Sequence, residues 1–184
     1  MARKKIKKIK FVTVFGSARS KIDTKFYDVA QKIGSELAKN GFGLITGGGS
    51  GIMEAVNKGA FLNGGVSIGL NIILPHEQDL NPYCTHFKQY KNLSKRKQKL
   101  IKNSNIFIIM PGGFGTLDEV FEVLTLAQTG LRKHKIIFFD ENFWGDLIKF
   151  FQNTLISNKM ISKSDLKLYK VCNSVEEIID YIKK

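Results

Sequence analysis

Short apolar segments alternate along the chain with longer segments in which apolar residues recur at helical spacing. Residues 10–16 (KFVTVFG) form a β-branched run, and residues 26–40 repeat apolar side chains every three or four positions before Gly41. The same two patterns predict strands at 42–47, 66–74, 105–110, 135–140 and 166–172, and helices at 51–64, 93–104, 117–130, 143–157 and 174–184. Residues 76–90, which include Pro82, are predicted to be irregular.

Strands that alternate with helices of this length indicate βαβ units and a parallel sheet. The strands are continuous apolar runs, which is typical of strands covered by helices on both faces. We therefore predict an α/β fold with one doubly wound parallel sheet at residues 10–184, after a basic tail at residues 1–9. Ligands bind outside the carboxyl ends of such strands, which places the candidate site in ITGGGSG (45–51) and IIMPGGFGT (108–116).

The bulk composition fits one globular domain. The chain has 184 residues, is 43% hydrophobic and contains no apolar run near the roughly 20 residues of a membrane helix. Its first residues weakly imitate a signal peptide, but KFVTVFGS is better explained as a strand that enters a turn. Cys84 and Cys172 show neither metal-ligand nor CxxC spacing, which favours a reduced, cytoplasmic setting.

The chain is strongly basic. Its net charge of +13 and pI near 9.7 raise the possibility of a nucleic-acid partner. Much of this charge is lysine, and lysine-rich surfaces can reflect overall composition. We therefore expect attraction for small phosphate-bearing anions and consider nucleic acid and membrane unlikely partners.

The first glycine-rich loop has the composition of an anion site. Gly47, Gly48 and Gly49 follow a predicted strand and precede a predicted helix, so backbone N–H groups and a helix dipole meet there. Ile52 and Glu54 stand where the third glycine of GxGxxG would fall, and no Gly-Lys-Ser/Thr follows. These differences disfavour a dinucleotide cofactor and a P-loop NTPase. A purely structural tight turn stays possible.

The second loop, PGGFGTLDE, has the same design. Gly112, Gly113 and Gly115 free the backbone on either side of Phe114, and a helix is predicted to begin near Thr116. Two such loops on one sheet suggest a single ligand that spans both, such as a nucleoside monophosphate or a sugar phosphate.

The first turn of that helix has two interpretations. Thr116 and Glu119 have the spacing of a capping box, and Asp118 would complement the helix dipole. The alternative is catalysis by these side chains. Helical geometry predicts one core face, formed by Leu117, Val120, Phe121 and Leu124. It places Asp118, Glu119 and Glu122 on an opposite side that faces a cleft or a second subunit.

The helix at 93–104 is basic, and its predicted core face is formed by Leu93, Leu100 and Ile101. Lys97 falls near the middle of the apolar stripe, and Arg96 flanks it. Inward-pointing basic residues need an anionic partner or a route to solvent. Either Lys97 extends to solvent beside an Arg96 paired with a carboxylate, or both lie over a phosphate or base.

The motif PGGFGTLDE, with the Arg96–Lys97 dipeptide fourteen residues upstream of Met110, resembles the LOG ("lonely guy") phosphoribohydrolases, whose signature is PGGxGTxxE. Bacterial relatives often have the label "possible lysine decarboxylase". The resemblance extends from about Phe11 to beyond Trp144. It includes GSA, TGGGSGIMEAVNKGA, LPHEQDLNPY, KRK, PGGFGTLDEVFEVLTLAQTG and FW.

This resemblance implies a Rossmann-like fold, a homodimer and cleavage of the N-glycosidic bond of nucleoside 5′-monophosphates. The products are a free base and ribose 5-phosphate, and the plant members act on cytokinin riboside monophosphates. The implied catalytic pair is Arg96 and Glu119. The implied substrate contacts are Lys97, residues 112–118 and Thr125, with a looser match at Glu77.

The implied mechanism is hydrolysis through an oxocarbenium-like transition state. The glycine loops would hold the 5′-phosphate, Glu119 would stabilise the ribosyl cation or activate water, and Arg96 would anchor the substrate. No cofactor is expected. No metal is expected either, because the three histidines, His76, His86 and His134, lack ligand spacing. Phe114 and Asp118 replace the Tyr and Glu usual in plant members, which leaves the base specificity open.

Three alternatives remain at this stage. A non-catalytic nucleotide-binding or carrier protein would keep the glycine loops but would gain nothing from Arg96 and Glu119 together. A nucleic-acid-binding module of related fold would use residues 88–102 and the basic tail, and its binding would depend steeply on salt. A lysine decarboxylase would need pyridoxal phosphate on a Schiff-base lysine, for which no site is recognisable.

Overall fold

The computed structural model of the chain describes residues 9–74 and 81–184. Within these residues, seven strands form a single sheet in which all pairs of neighbouring strands are parallel. The strands are β1 (Lys10–Phe15), β2 (Phe42–Thr46), β3 (Ser67–Ile72), β4 (His86–Tyr90), β5 (Ile106–Ile109), β6 (Lys135–Phe139) and β7 (Tyr169–Cys172).

The order of the strands across the sheet is β4-β3-β2-β1-β5-β6-β7. From β1 the chain builds outward in one direction as far as β4, and then β5 pairs with the opposite edge of β1. The carboxyl ends of β1 and β5 therefore flank the point at which the strand order reverses. In doubly wound sheets this crevice is where ligands bind.

In the part of the chain that the structure describes, six α-helices connect or follow the strands. They are α1 (Thr24–Lys39), α2 (Ile52–Leu62), α3 (Leu93–Lys102), α4 (Phe114–Gln128), α5 (Glu141–Lys149) and α6 (Val175–Lys183). A π-helical turn at Phe150–Leu155 continues α5, and a 3₁₀ turn at Lys163–Leu168 precedes β7. None of the helices among the described residues is both long and apolar enough to cross a bilayer.

The helices cover both faces of the sheet, as the apolar runs predicted. Val12 and Val14 of β1 belong to a core shared with α1, α2 and α6, whereas Phe15 belongs to a second core shared with α3, α4 and α5. Successive residues of a strand point to opposite faces, so each central strand must be apolar on both sides. The predicted doubly wound parallel sheet is confirmed.

Three local predictions were wrong. Part of the segment predicted to be irregular forms β4, an exposed edge strand whose His86–Tyr90 sequence lacks a continuous apolar run. Helix α4 begins at Phe114 rather than near Thr116. Leu93, assigned to the core of α3, is 55% exposed because it is the first residue of the helix. Glu77 lies outside the described residues.

Candidate functional site

Three loops meet at the carboxyl end of the sheet, beside the reversal point. They follow β1, β2 and β5, and backbone hydrogen bonds join them. The N–H of Ser17 donates to the carbonyl of Pro111 at 3.1 Å, and the N–H of Ile52 donates to the carbonyl of Ser17 at 3.0 Å. The β1 loop thus connects both glycine-rich loops, a role that the sequence analysis did not assign to it.

Buried polar side chains fix the first glycine loop. The hydroxyl of Thr46 accepts from the N–H of Gly48 at 3.0 Å and donates to Oδ1 of Asn57 at 2.6 Å. Asn71 donates to the carbonyl of Gly48 at 3.0 Å, and Asn81 donates to Oδ1 of Asn57 at 3.0 Å. Because buried polar groups are costly unless bonded, this network favours one loop conformation.

The sequence analysis missed these asparagines. Asn57 lies on the buried side of α2 among Met53, Val56 and Ala60, and it is fully buried. An amide within an otherwise apolar stripe is the signal that could have identified it. Gly48 has a φ of +65°, so this loop conformation favours glycine at that position.

Gly47 contacts the catalytic candidate Arg96 directly. A Cβ atom at Gly47 would collide with Nη2 of Arg96 and with the sulfur of Met53. The guanidinium therefore lies against the backbone of the first loop, and only a residue without a side chain leaves room for it.

We expect Gly47→Ala to reduce the hydrolase activity that the LOG resemblance implies at least tenfold by displacing the guanidinium of Arg96, and to destabilise the fold by about 1–3 kcal/mol through overpacking. Steady-state kinetics and chemical denaturation measure the two effects. Gly145→Ala is the matched control, because the Cβ of an alanine there meets nothing within 4 Å in the middle of α5. A Gly47→Ala protein with unchanged kinetics would contradict the assigned contact.

The second glycine loop leads directly into α4. Gly113 is the N-cap and makes no side-chain hydrogen bond, so of the two interpretations of Thr116 and Glu119 the capping box is wrong. Instead Thr116 is buried and folds back over Gly112, where a Cβ would collide with its hydroxyl. Because the first N–H groups of a helix lack intrahelical acceptors, those of the first turn of α4 are available to an anion.

Phe114 is the exposed side chain of this loop. It is 92% exposed, between two glycines at which an added Cβ would meet nothing within 4 Å. The open surroundings of Gly113, Phe114 and Gly115 leave the backbone at the start of α4 accessible to a ligand.

A buried ion pair lies between the two loops. Nη1 of Arg96 donates to Oε1 of Glu119 at 3.0 Å, and Nε of Arg96 donates to the carbonyl of Leu70 at 2.9 Å. The side chains of Arg96 and Glu119 are only 12% and 10% exposed. Helix α3 and helix α4 thus each contribute one charged group to the same crevice, and the two groups orient each other.

Burial has a strong effect on the Glu119 carboxyl. Loss of solvation raises its pKa from 4.5 to about 7, although the positive charge of Arg96 opposes the increase. A carboxyl with a pKa near neutrality can exchange a proton with a substrate or a water molecule at physiological pH.

The core face of α4 is only partly the predicted one. Leu117, Val120 and Leu124 pack in the core as predicted, but Phe121 is exposed. The buried surface instead extends to Thr116, Glu119 and Val123. The three carboxylates of α4 were expected together on the opposite side of the helix, but the structure separates them. Glu119 points into the protein beside Arg96, and Asp118 is exposed.

Lys97 is paired with the other two carboxylates of α4. Its Nζ atom lies 2.8 Å from Oδ1 of Asp118 and 2.9 Å from Oε2 of Glu122. Burial disfavours the ammonium form, but the hydrogen bonds to these carboxylates outweigh it and raise the pKa of Lys97. Lys97 therefore stays charged. Its ion pairs link α3 to α4, as the Arg96–Glu119 pair also does.

The histidines of the described segments occupy structural or surface positions. Nδ1 of His134 lies 3.2 Å from the carbonyl of Val123, and its ring packs edge-on against Phe107. Burial lowers the pKa of His134, so its ring is neutral at pH 7. Within residues 9–74 and 81–184, no three His, Cys, Asp or Glu side chains are grouped closely enough to hold a metal ion.

Comparison with known proteins identifies the family. The sequence profile of a family described as "Possible lysine decarboxylase" matches residues 53–182, more than half of the chain and including both Arg96 and the second glycine loop. This is the family that the PGGFGTLDE motif resembles. The chain belongs to the LOG family.

Relatives of known name agree with the family assignment. The cytokinin riboside 5′-monophosphate phosphoribohydrolase LOG1 of Arabidopsis thaliana is 28% identical over 183 residues, which cover 95% of this chain and 85% of the relative. A cytokinin riboside 5′-monophosphate phosphoribohydrolase of Rhodococcoides fascians is 26% identical over 181 residues, which cover 95% and 89%.

A solved structure of a differently named protein has the same fold. The molybdenum cofactor carrier protein MCP of Chlamydomonas reinhardtii superimposes with a TM-score of 0.74 at 24% identity, covering 96% of this chain and 97% of that one. At this identity the likeness concerns the fold alone.

The structure brings together most residues that the LOG signature selects. Arg96 contacts both Gly47 and Glu119, and the loop at 112–116 leads directly to Glu119. Thr125 lies away from these residues. It lies about 9 Å farther along α4 than Glu119, its hydroxyl donates to the carbonyl of Phe121, and it lines an apolar groove with Phe151.

Proposed function

We propose that this LOG-family protein hydrolyses the N-glycosidic bond of nucleoside 5′-monophosphates, releasing the free base and ribose 5-phosphate. The observation that supports this most strongly is the buried Arg96–Glu119 pair between two glycine-rich, anion-binding loops. A binding protein needs the loops, but it gains nothing from a buried carboxyl whose pKa is raised to about 7.

The 5′-phosphate is assigned to the loops. The free N–H groups at the start of α4 and the positive end of its dipole favour a bound anion. The first loop, fixed by Asn57 and Asn71, forms the facing wall. Both walls consist of backbone atoms, so they bind the phosphate but do not distinguish one base from another.

The chemistry is assigned to Glu119. As the bond between C1′ and the base nitrogen breaks, positive charge develops on the ribose and is stabilised by an ionised carboxylate. A water molecule adds its oxygen to C1′ and gives a proton to Glu119, and the departing base takes up a proton from solvent. Arg96, held by Leu70 and Gly47, orients the carboxylate.

The test is release of free base and ribose 5-phosphate from adenosine 5′-monophosphate by the purified protein, measured by chromatography. Prenylated adenine and pyrimidine monophosphates are assayed in parallel, because Phe114 and Asp118 leave the base preference open. We expect equal amounts of the two products from at least one monophosphate. Tight binding of monophosphates with no product from any of them would replace the hydrolase with a carrier.

A further inference from the structure

The loop that follows β1 contains a cation with no function assigned so far. Arg19 is exposed, and its N–H donates to the hydroxyl of Ser17 at 3.2 Å in a tight local turn. It forms no ion pair within the described part of the chain. With respect to residues 9–74 and 81–184, its guanidinium is therefore open to an anionic ligand.

The backbone of this loop is fixed against both walls of the phosphate site. Ser17 donates to Pro111, at the start of the second glycine loop. On the other side, a Cβ at Gly51 would collide with the carbonyl of Arg19, and a Cβ at Gly49 would stand 3.9 Å from Ala18. Arg19 thus belongs to a segment whose backbone contacts both glycine loops.

The cations on α3 are already paired with carboxylates. Arg96 is paired with Glu119, and Lys97 is paired with Asp118 and Glu122. Neither of them is therefore left over for a phosphate. The N–H groups at the start of α4 attract a phosphate dianion, and an unpaired guanidinium beside them would strengthen its binding.

We propose that Arg19 binds the 5′-phosphate and sets the preference for nucleoside monophosphates over unphosphorylated nucleosides. This inference rests on the proposed function, because it names the residue that recognises the anionic end of the substrate. An arginine suits the task because its planar donors bind two phosphate oxygens at once. Lys21, on the same loop, lies beyond the segment that contacts Pro111 and Gly51.

The experiment compares Arg19→Ala, Arg19→Lys and the matched control Lys21→Ala with wild type, on adenosine 5′-monophosphate and on adenosine. We expect Arg19→Ala to raise KM for the monophosphate at least tenfold with kcat changed less than threefold, and to leave kcat/KM for adenosine unchanged. Arg19→Lys restores part of the loss, and Lys21→Ala behaves as wild type.

Calorimetric titration with the same two ligands separates this inference from the hydrolase proposal. If wild type binds the monophosphate without cleaving it, a tenfold weaker affinity in Arg19→Ala still supports the phosphate role. The inference is overturned if Arg19→Ala cleaves and binds the monophosphate as wild type does. It is also overturned if Arg19→Ala loses affinity and activity equally for both ligands. The same holds if Lys21→Ala loses as much affinity and activity for the monophosphate as Arg19→Ala does.

Discussion

We expect Glu119→Gln to lose at least 99% of the proposed hydrolysis of nucleoside monophosphates while the protein stays folded and keeps its affinity for them. The amide retains the shape of the carboxyl and an oxygen that accepts from Arg96 at the 3.0 Å position. It lacks the negative charge and the proton-accepting oxygen. Loss of a positioned acid–base group lowers rates by about 10²–10⁴-fold, so we expect kcat to fall at least a hundredfold with KM changed little.

The measurement is single-turnover release of ribose 5-phosphate, with nucleotide affinity determined in parallel. Glu176→Gln is the control, because it removes one carboxylate that is exposed and pairs with Lys32 on the outer surface. If Glu119→Gln kept more than a tenth of the wild-type rate, the assignment of Glu119 as the reacting carboxyl would be rejected.

Arg96→Ala has the second large effect, on stability as well as activity. Removing one partner of a buried ion pair leaves the other charge uncompensated, which costs about 3–5 kcal/mol in comparable cases. We expect about 3 kcal/mol at pH 8.5, together with a loss of hydrolysis at least as large as that of Gly47→Ala, because the carboxylate is no longer oriented.

The destabilisation depends on pH in a defined direction. The pKa of Glu119 is about 7 in the folded protein against an ordinary 4.5, so the folded state holds a proton that the unfolded state has lost. The contribution of Glu119 to the free energy of unfolding is therefore largest below about pH 4.5, and it decreases as the pH rises toward 7. Without Arg96 the folded pKa rises further, so the decrease continues above pH 7.

Urea denaturation at pH 5.5 and pH 8.5 tests this direction. The difference in unfolding free energy between wild type and Arg96→Ala should at pH 5.5 be half of its pH 8.5 value or less. Lys99→Ala serves as the control, because Lys99 is an exposed cation on the same helix. If the difference in unfolding free energy were equal at both pH values, Glu119 would not be the group whose ionisation is destabilised by the removal of Arg96.

The glycine loops were predictable because their signals are local. A run of glycines between an apolar strand and a helix restricts the backbone wherever it occurs, and both loops lie at strand ends as predicted. The inward position of Arg96 and Lys97 was also predictable, since a basic residue within an apolar stripe must meet a partner. Which carboxylate each would meet was not, because three of them follow one another on α4.

The orientation of α4 explains why the sequence did not show which carboxylate pairs with Arg96. The sequence places Leu117, Val120 and Phe121 on one face, and Leu117 and Val120 do pack in the core. The buried surface extends from them toward Thr116, Glu119 and Val123, so Phe121 is exposed and Glu119 is buried. Side-chain periodicity alone does not fix this angle, because it depends on how the helix packs against the sheet.

The sequence by itself determined the α/β alternation, the doubly wound sheet, the two glycine-rich loops at strand ends and the membership in the LOG family, because periodicity, glycine content and a short motif are properties of neighbouring residues. Only the tertiary structure decided the pairing of Arg96 with Glu119, the asparagine network under the first loop and the contacts of residues 17–19 with both glycine loops. Each of these joins segments distant along the chain, and the burial that raises the pKa of Glu119 exists only once those segments have packed together.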